Sequence, residues 1–170
     1  YLREVHGLSA VAAGNVLLAA VVAYQCGMVV IGPLDRVLDT RKWIAVAGTV
    51  AVASVLGVLA LVGQPPAWLA IGAMLAIGFV SPASTMIMAH GRAIFPDHLI
   101  GRGMSTLNTS VMLGVACMQS LSGVILGAFT PMADGSRSEV AYRSLFGVMC
   151  VVLVIAVSVY AQVADRKPSD

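Results

Sequence analysis

Long apolar stretches without a charged residue alternate along this chain with short polar clusters. The charge-free stretches cover residues 5–34, 43–91, 103–133 and 144–164. A membrane-spanning helix needs about 20 mostly apolar residues, so three of the stretches accommodate one helix each. The second stretch accommodates two, divided at residues 63–66 (Gly-Gln-Pro-Pro), because proline does not continue a helix. The pattern therefore predicts five transmembrane helices joined by short loops.

We expect an all-α integral membrane protein with a single membrane domain over residues 1–170. The stretches lack the strict alternation, in segments of about 10 residues, that is typical of a transmembrane β-barrel. The predicted helices cover residues 9–31, 43–62, 67–89, 104–129 and 144–163.

Composition supports the membrane prediction and gives no indication of a nucleic-acid partner, a metal site or a cofactor. Apolar residues make up 59% of the chain and charged residues 11%, with a mean hydropathy of +0.92, whereas a soluble domain has about 25% charged residues. The net charge of +2 gives no reason to expect a nucleic-acid partner. The three cysteines and three histidines show no metal-ligand spacing, so we expect neither a metal site nor a cofactor.

The basic residues of the loops predict the orientation of the chain. Successive helices alternate in direction, so the clusters at 35–42, 92–102 and 165–170 share one side, with seven basic residues against three on the other. The positive-inside rule makes the first side cytoplasmic. We expect a bacterial cytoplasmic membrane, with the N-terminus of this chain outside and its C-terminus in the cytoplasm. The seven are Arg36, Arg41, Lys42, Arg92, Arg102, Arg166 and Lys167, and the three are Arg3, Arg137 and Arg143.

The predicted helices differ in their uncharged polar side chains. The fourth carries the most, the first and third carry several, and the second and fifth carry few. Because polar groups are costly in lipid, we expect the first, third and fourth helices to face an interior and the other two to face lipid. Gly123 and Gly127 of the fourth helix have the G-x-x-x-G spacing, which fits ordinary tight packing or a specific dimer interface.

The loop after the first predicted helix resembles the signature loop of the major facilitator superfamily. It runs from Gly32 through Asp35 and Arg36 to a basic pair at residues 41–42. In that family such a loop lies on the cytoplasmic side after the second helix, and a weaker copy follows the eighth. The spacing here departs by one residue at the glycine and at the basic pair, and Leu38 stands where a glycine is common.

Later segments extend the resemblance over the whole chain. Residues 95–97 (Phe-Pro-Asp) and 101–103 (Gly-Arg-Gly), followed by Asn108, are similar to the family's approach to its eleventh helix, and residues 142–143 (Tyr-Arg) to the start of its twelfth. The resemblance implies that the chain covers helices eight to twelve of a twelve-helix bundle and that the N-terminal half of the protein is missing. In that family the eighth, tenth and eleventh helices line the central cavity, in agreement with the polar content noted above.

The function implied by the resemblance is that of the C-terminal part of a secondary active transporter, a permease that moves a small solute by alternating access. Its expected partners are a small-molecule substrate, the lipid bilayer and the missing N-terminal half. The alternative is a non-transporting polytopic membrane subunit or assembly factor. An enzyme is not expected, because the predicted spans contain no Asp, Glu, Lys or Arg from which a catalytic site could be built.

Two sets of residues are candidates for function. A carboxylate at Asp35 suits a gate, because it can pair with a helix N-terminus or a basic side chain in one conformation and release it in another. The alternative is a solvated turn whose positive charges set topology.

His90, near the inner mouth of a predicted cavity helix, is the one histidine with a possible role. The gate-loop candidates are Gly32, Asp35, Arg36, Arg41 and Lys42. The substrate-cavity candidates are Gln25, Ser84, Asn108 and Gln119, each of which alternatively makes a hydrogen bond between helices.

Overall fold

The structure is a computed structural model that describes residues 1–132 and 135–166, and the regular secondary structure within those residues consists of helices. Five of its helical segments are long and apolar enough to cross a membrane, which confirms the prediction from the hydrophobic pattern. Lys167, one of the basic residues used to predict orientation, lies outside the described residues. In chain order the helices are α1 (Ala10–Ile31), α2 (Leu34–Val37), α3 (Lys42–Leu61), α4 (Ala67–Val80), α5 (Thr85–Ile94), α6 (Ile100–Gly127) and α7 (Glu139–Tyr160).

Three helix boundaries differ from the predicted ones by four or five residues. The third span continues to Ile94 rather than 89, α6 begins at Ile100 rather than 104, and α7 begins at Glu139 rather than 144. The flanking charged residues belong to the terminal turns of the helices and not to the loops. At α7 the side chain of Ser138 accepts a hydrogen bond from the N–H of Ala141 at 3.4 Å, as an N-cap does.

The longer helices also change the distribution of charge in the spans. Lys42, Arg92, Arg102, Glu139 and Arg143 all lie within helices, each in or near a terminal turn. The centres of the five spans carry no Asp, Glu, Lys or Arg. Ionisable groups thus lie at the ends of the helices, where long side chains reach the interface with water.

The most enclosed helix of the chain is α3. It packs most extensively along α7 and also contacts α4 and α5, whereas among the described residues α6 has a single buried residue, Gly103. Within the described residues α3 is thus more enclosed than α6, and which spans face lipid and which face an interior remains a prediction. Polar content identifies side chains that avoid lipid, but it does not identify which helices of one chain surround another.

Two glycines allow α1 and α4 to approach closely. A Cβ atom at Gly27 would lie 2.0 Å from the carbonyl oxygen of Phe79, and one at Gly78 would lie 2.6 Å from the carbonyl oxygen of Ala20. By contrast, no atom of the described residues lies within 4 Å of a Cβ built at Gly123 or Gly127. Within the described residues, the tight packing expected at the G-x-x-x-G pair of α6 therefore does not occur, and a close approach occurs instead between α1 and α4.

The third span is interrupted by a 3₁₀ turn at Ser81–Ser84. Pro82 lacks a backbone N–H and so cannot complete the α-helical hydrogen-bond pattern. Two side-chain hydroxyls at the break bond to nearby carbonyls: Ser81 donates to the carbonyl of Ile77 at 2.6 Å, and Thr85 donates to that of Pro82 at 2.7 Å. These two polar side chains are thus bonded within their own span.

Candidate functional site

The predicted gate loop forms a compact turn between α1 and α3. Gly32 ends α1 and donates its N–H to the carbonyl of Met28 at 3.0 Å, after which the chain enters the single turn of α2 (Leu34–Val37). The left-handed conformation of this turn occurs at Asp39, with φ of +47°, and not at Leu38. Aspartate tolerates that conformation better than most residues. The absence of a glycine at Leu38 is therefore compatible with a tight turn.

Two of the four charged candidates of this loop contact each other. Asp35 Oδ2 lies 3.6 Å from Arg41 Nε, and their side chains are 17% and 22% exposed. That separation is too long for a hydrogen bond, so the pair interacts by charge alone. The ammonium of Lys42 lies 4.8 Å from the centre of the Trp43 ring, and Arg36 is exposed. The gate role of these residues remains a prediction.

All four candidate cavity residues lie on exposed surfaces of the chain. Gln25 is on α1, while Asn108 and Gln119 are on α6. Ser84 donates a hydrogen bond to the carbonyl of Ser81 at 2.7 Å and lines a small cleft of about 150 Å³ between the third span, α3 and α7. The assignment of all four residues to a substrate cavity remains a prediction.

Hydroxyl and amide side chains of the spans differ in their hydrogen bonding. Most hydroxyls of the spans, including three of the six in α6, donate to a carbonyl one turn earlier in their own helix, so a hydroxyl by itself does not indicate a cavity. The amides of Gln25, Asn108 and Gln119 make no hydrogen bond within the described part of the chain, and the exposed amide of Asn15 on α1 shares this property. Lipid cannot satisfy such groups, so they require water, substrate or another helix. The hydroxyls bonded in this way include those of Thr106, Ser110, Ser122 and Ser158.

His90 is buried inside the chain and does not line an exposed mouth. Its side chain is 0% exposed, and both of its ring nitrogens contact the end of α7 or the residues that follow it. The ring of His90 is thus bonded within the chain, and a functional role for it remains a prediction. Sequence analysis could not identify the partner, because His90 and Tyr160 are 70 residues apart.

At the opposite end of the helix bundle, a second polar cluster joins the residues before α1 to the start of α7. Glu4 accepts hydrogen bonds from the backbone N–H of Arg137 at 2.8 Å and from the hydroxyl of Tyr142 at 3.0 Å. These two bonds hold the pKa of the Glu4 carboxyl below its ordinary value, because both stabilise the charged form. Arg143 donates to the carbonyls of Ala60 and Leu61 at 2.9 and 3.1 Å and so caps the C-terminus of α3.

The two polar ends fix which loops lie on the same side of the bundle. The loop at 35–42 and the residues after α7 meet at one end, while residues 1–8 meet the segment before α7 at the other. No group of three or more His, Cys, Asp or Glu residues that could hold a metal ion occurs within residues 1–132 and 135–166. The structure thus presents a five-span helical unit with unsatisfied amides on the exposed surfaces of α1 and α6.

A comparison with protein families gives one match over the entire chain. The model of the Major Facilitator Superfamily matches residues 1–170. No curated protein and no solved structure matches the chain.

Proposed function

Since the chain belongs to the Major Facilitator Superfamily, we propose that it is the C-terminal part of a secondary active transporter that moves a small solute across the bacterial cytoplasmic membrane by alternating access. Members of the superfamily are membrane transporters of small molecules. In such folds the substrate site lies near the bilayer midplane between two halves that rock against each other. In this proposal the five spans are helices eight to twelve, and an N-terminal half covers their exposed polar faces.

The unsatisfied amides carry the proposal. Asn15 and Gln25 on α1, with Asn108 and Gln119 on α6, are exposed within apolar helices, and none makes a hydrogen bond within the described residues. A membrane protein does not leave such groups in lipid, so a polar cavity or a further helix must face them. The pairing of α3 with α7 agrees with two outer helices, whose polar groups are few.

Uptake by the full-length protein in lipid vesicles tests this function. We expect saturable uptake from a panel of radiolabelled small solutes, and we expect Gln119→Leu to lower it about 2- to 10-fold, because an ordinary hydrogen bond contributes about 0.5–1.5 kcal/mol. Ser54→Ala is the control, since the exposed hydroxyl of Ser54 donates to the carbonyl of Val50 in its own helix at 2.8 Å. Equal uptake in Gln119→Leu and the unmodified protein would contradict the assignment of the cavity.

The orientation has its own test. We propose that the loop containing Thr40 is cytoplasmic and that the loop containing Ser136 is external, as the charge distribution predicts. In a background without cysteines, an impermeant maleimide added to intact cells should label Ser136→Cys and leave Thr40→Cys unlabelled. The reverse pattern would invert the orientation without affecting the family assignment.

A further inference from the structure

The segment that follows α7 is bound to α5 through His90. The ring Nδ1 of His90 lies 2.7 Å from the hydroxyl of Tyr160, and Nε2 lies 3.0 Å from the carbonyl oxygen of Ala164. The backbone N–H of Arg166 also points at Nε2, at 3.3 Å. A polar side chain that is 0% exposed needs such partners, because an unsatisfied buried group is costly.

His90 can bind this segment in either neutral form of its ring. With the proton on Nε2 it donates to the carbonyl of Ala164, and with the proton on Nδ1 its free Nε2 accepts from the N–H of Arg166. The hydroxyl of Tyr160 serves Nδ1 as donor in the first form and as acceptor in the second. The attachment of the segment to α5 therefore does not depend on one tautomer.

Asp165, which lies between Ala164 and Arg166, binds the same segment to the gate loop. Asp165 accepts a hydrogen bond from the hydroxyl of Thr40 at 2.6 Å, and its second oxygen lies 3.4 Å from the backbone N–H of Lys42. The hydroxyl of Thr40 also accepts from the N–H of Trp43 at 3.3 Å. A carboxylate beside the first N–H groups of α3 is favoured by the helix dipole. Asp165 thus holds both the loop and the start of α3.

We propose that residues 161–166 are a latch that couples the gate loop at residues 32–42 to α5, and that His90 is the positioning residue of this latch. The backbone groups of Ala164 and Arg166 bind His90. The side chain of Asp165, between them, binds Thr40. The gate loop consequently cannot move away from α5 unless the latch detaches from one of them. The role in gating rests on the proposed transport function, but the coupling does not.

Amide hydrogen exchange in the purified full-length protein tests the coupling. His90→Ala should accelerate exchange in the latch and also in residues 38–43, by about 2- to 10-fold, the effect of losing one or more ordinary hydrogen bonds. The change in the loop is the decisive readout, because the hydrogen bonds of the His90 ring go to Tyr160 and to the latch, and none goes to the loop in the described residues. His98→Ala, an exposed histidine near the same end, is the matched control.

Milder variants cover the case in which His90→Ala does not fold. Tyr160→Phe removes only the hydroxyl that contacts Nδ1, and we expect a smaller acceleration in the same two segments. Thr40→Val should loosen the latch, whereas Thr40→Ser should preserve it because the hydroxyl is retained. If His90→Ala or Tyr160→Phe accelerates exchange in the latch but leaves the loop unchanged, the latch does not couple them and the proposal is wrong. If exchange accelerates in both segments as expected but the full-length protein shows no uptake, the coupling is supported and the proposed transport function is wrong.

Discussion

The contact between α1 and α4 gives a sharp test of the fold. Replacing Gly27 by alanine adds a Cβ atom that would lie 2.0 Å from the carbonyl oxygen of Phe79 and 3.1 Å from the ring of Pro82. Real Cβ atoms essentially never approach closer than 3.0 Å, so the two helices must separate locally by at least about 1 Å. The obstructing atom belongs to the backbone of α4, and a change of side-chain rotamer cannot relieve the overlap.

The expected cost follows from that geometry. Overpacking of a well-packed interior typically costs about 1–3 kcal/mol. Alanine is also a better helix former than glycine by about 1 kcal/mol, which offsets part of the cost. Gly14→Ala in the same helix gives the propensity effect alone, because in the described part of the chain no atom beyond the neighbouring turns of its own helix lies within 4 Å of a Cβ at Gly14. The difference between the two variants isolates the packing strain, at about 1–3 kcal/mol.

Thermal unfolding in detergent measures this difference. For chains of roughly this size 1 kcal/mol shifts the midpoint by about 2–4 °C, so Gly27→Ala should unfold about 2–12 °C below Gly14→Ala. Circular dichroism at a helix wavelength follows the transition, and elution as a single species confirms that each variant folds. Equal midpoints for the two variants would refute the close approach of α1 and α4.

Three further outcomes are expected. Asp35→Asn should change the uptake rate of the full-length protein by up to about fivefold, since a partly exposed ion pair is worth about 0–1 kcal/mol, while Asp35→Glu should behave as the unmodified protein. The pKa of Glu4 is lowered in the folded protein, so its contribution to stability is present above the ordinary pKa and is lost as the pH falls through the lowered value. Thermal midpoints of Glu4→Gln and the unmodified protein should therefore converge at acidic pH, and a constant gap would contradict this. Arg143→Met should lower stability by about 1–2 kcal/mol through loss of the cap on α3, whereas Arg3→Met, an exposed change, should not.

The sequence predicted the number and type of the spans because a membrane requires long apolar helices. It placed the start of α7 too late, since Glu139 and Arg143 were assigned to a loop, although Ser138 followed by an acidic residue is a recognisable N-cap signal. The third span likewise extends to Ile94 and stops before Pro96, which restricts the residue preceding it. Helix-breaking prolines and N-cap residues thus predict the ends of these helices better than the position of the nearest charged residue does.

The contacts between distant segments could not be predicted in this way. His90 lies on α5, and nothing in the neighbouring sequence indicates that its partners follow α7. The close approach at Gly27 and Gly78 was also missed, because neither glycine belongs to a G-x-x-x-G pair and the contact depends on the crossing of two helices. The amides at Gln25, Asn108 and Gln119 were selected by polarity, and their exposure is consistent with that choice without testing it.

The unequal lengths of the spans have a consequence for the surrounding bilayer. With a rise of 1.5 Å per residue, the 20 residues of α3 span about 30 Å and the 28 residues of α6 span about 42 Å. The hydrocarbon core of a typical bilayer is about 30 Å thick, so α3 matches it, while α6 must tilt or project beyond it. A thicker bilayer would leave the ends of α3 short of water while still accommodating α6. Bilayer thickness should therefore change the angle between these two helices.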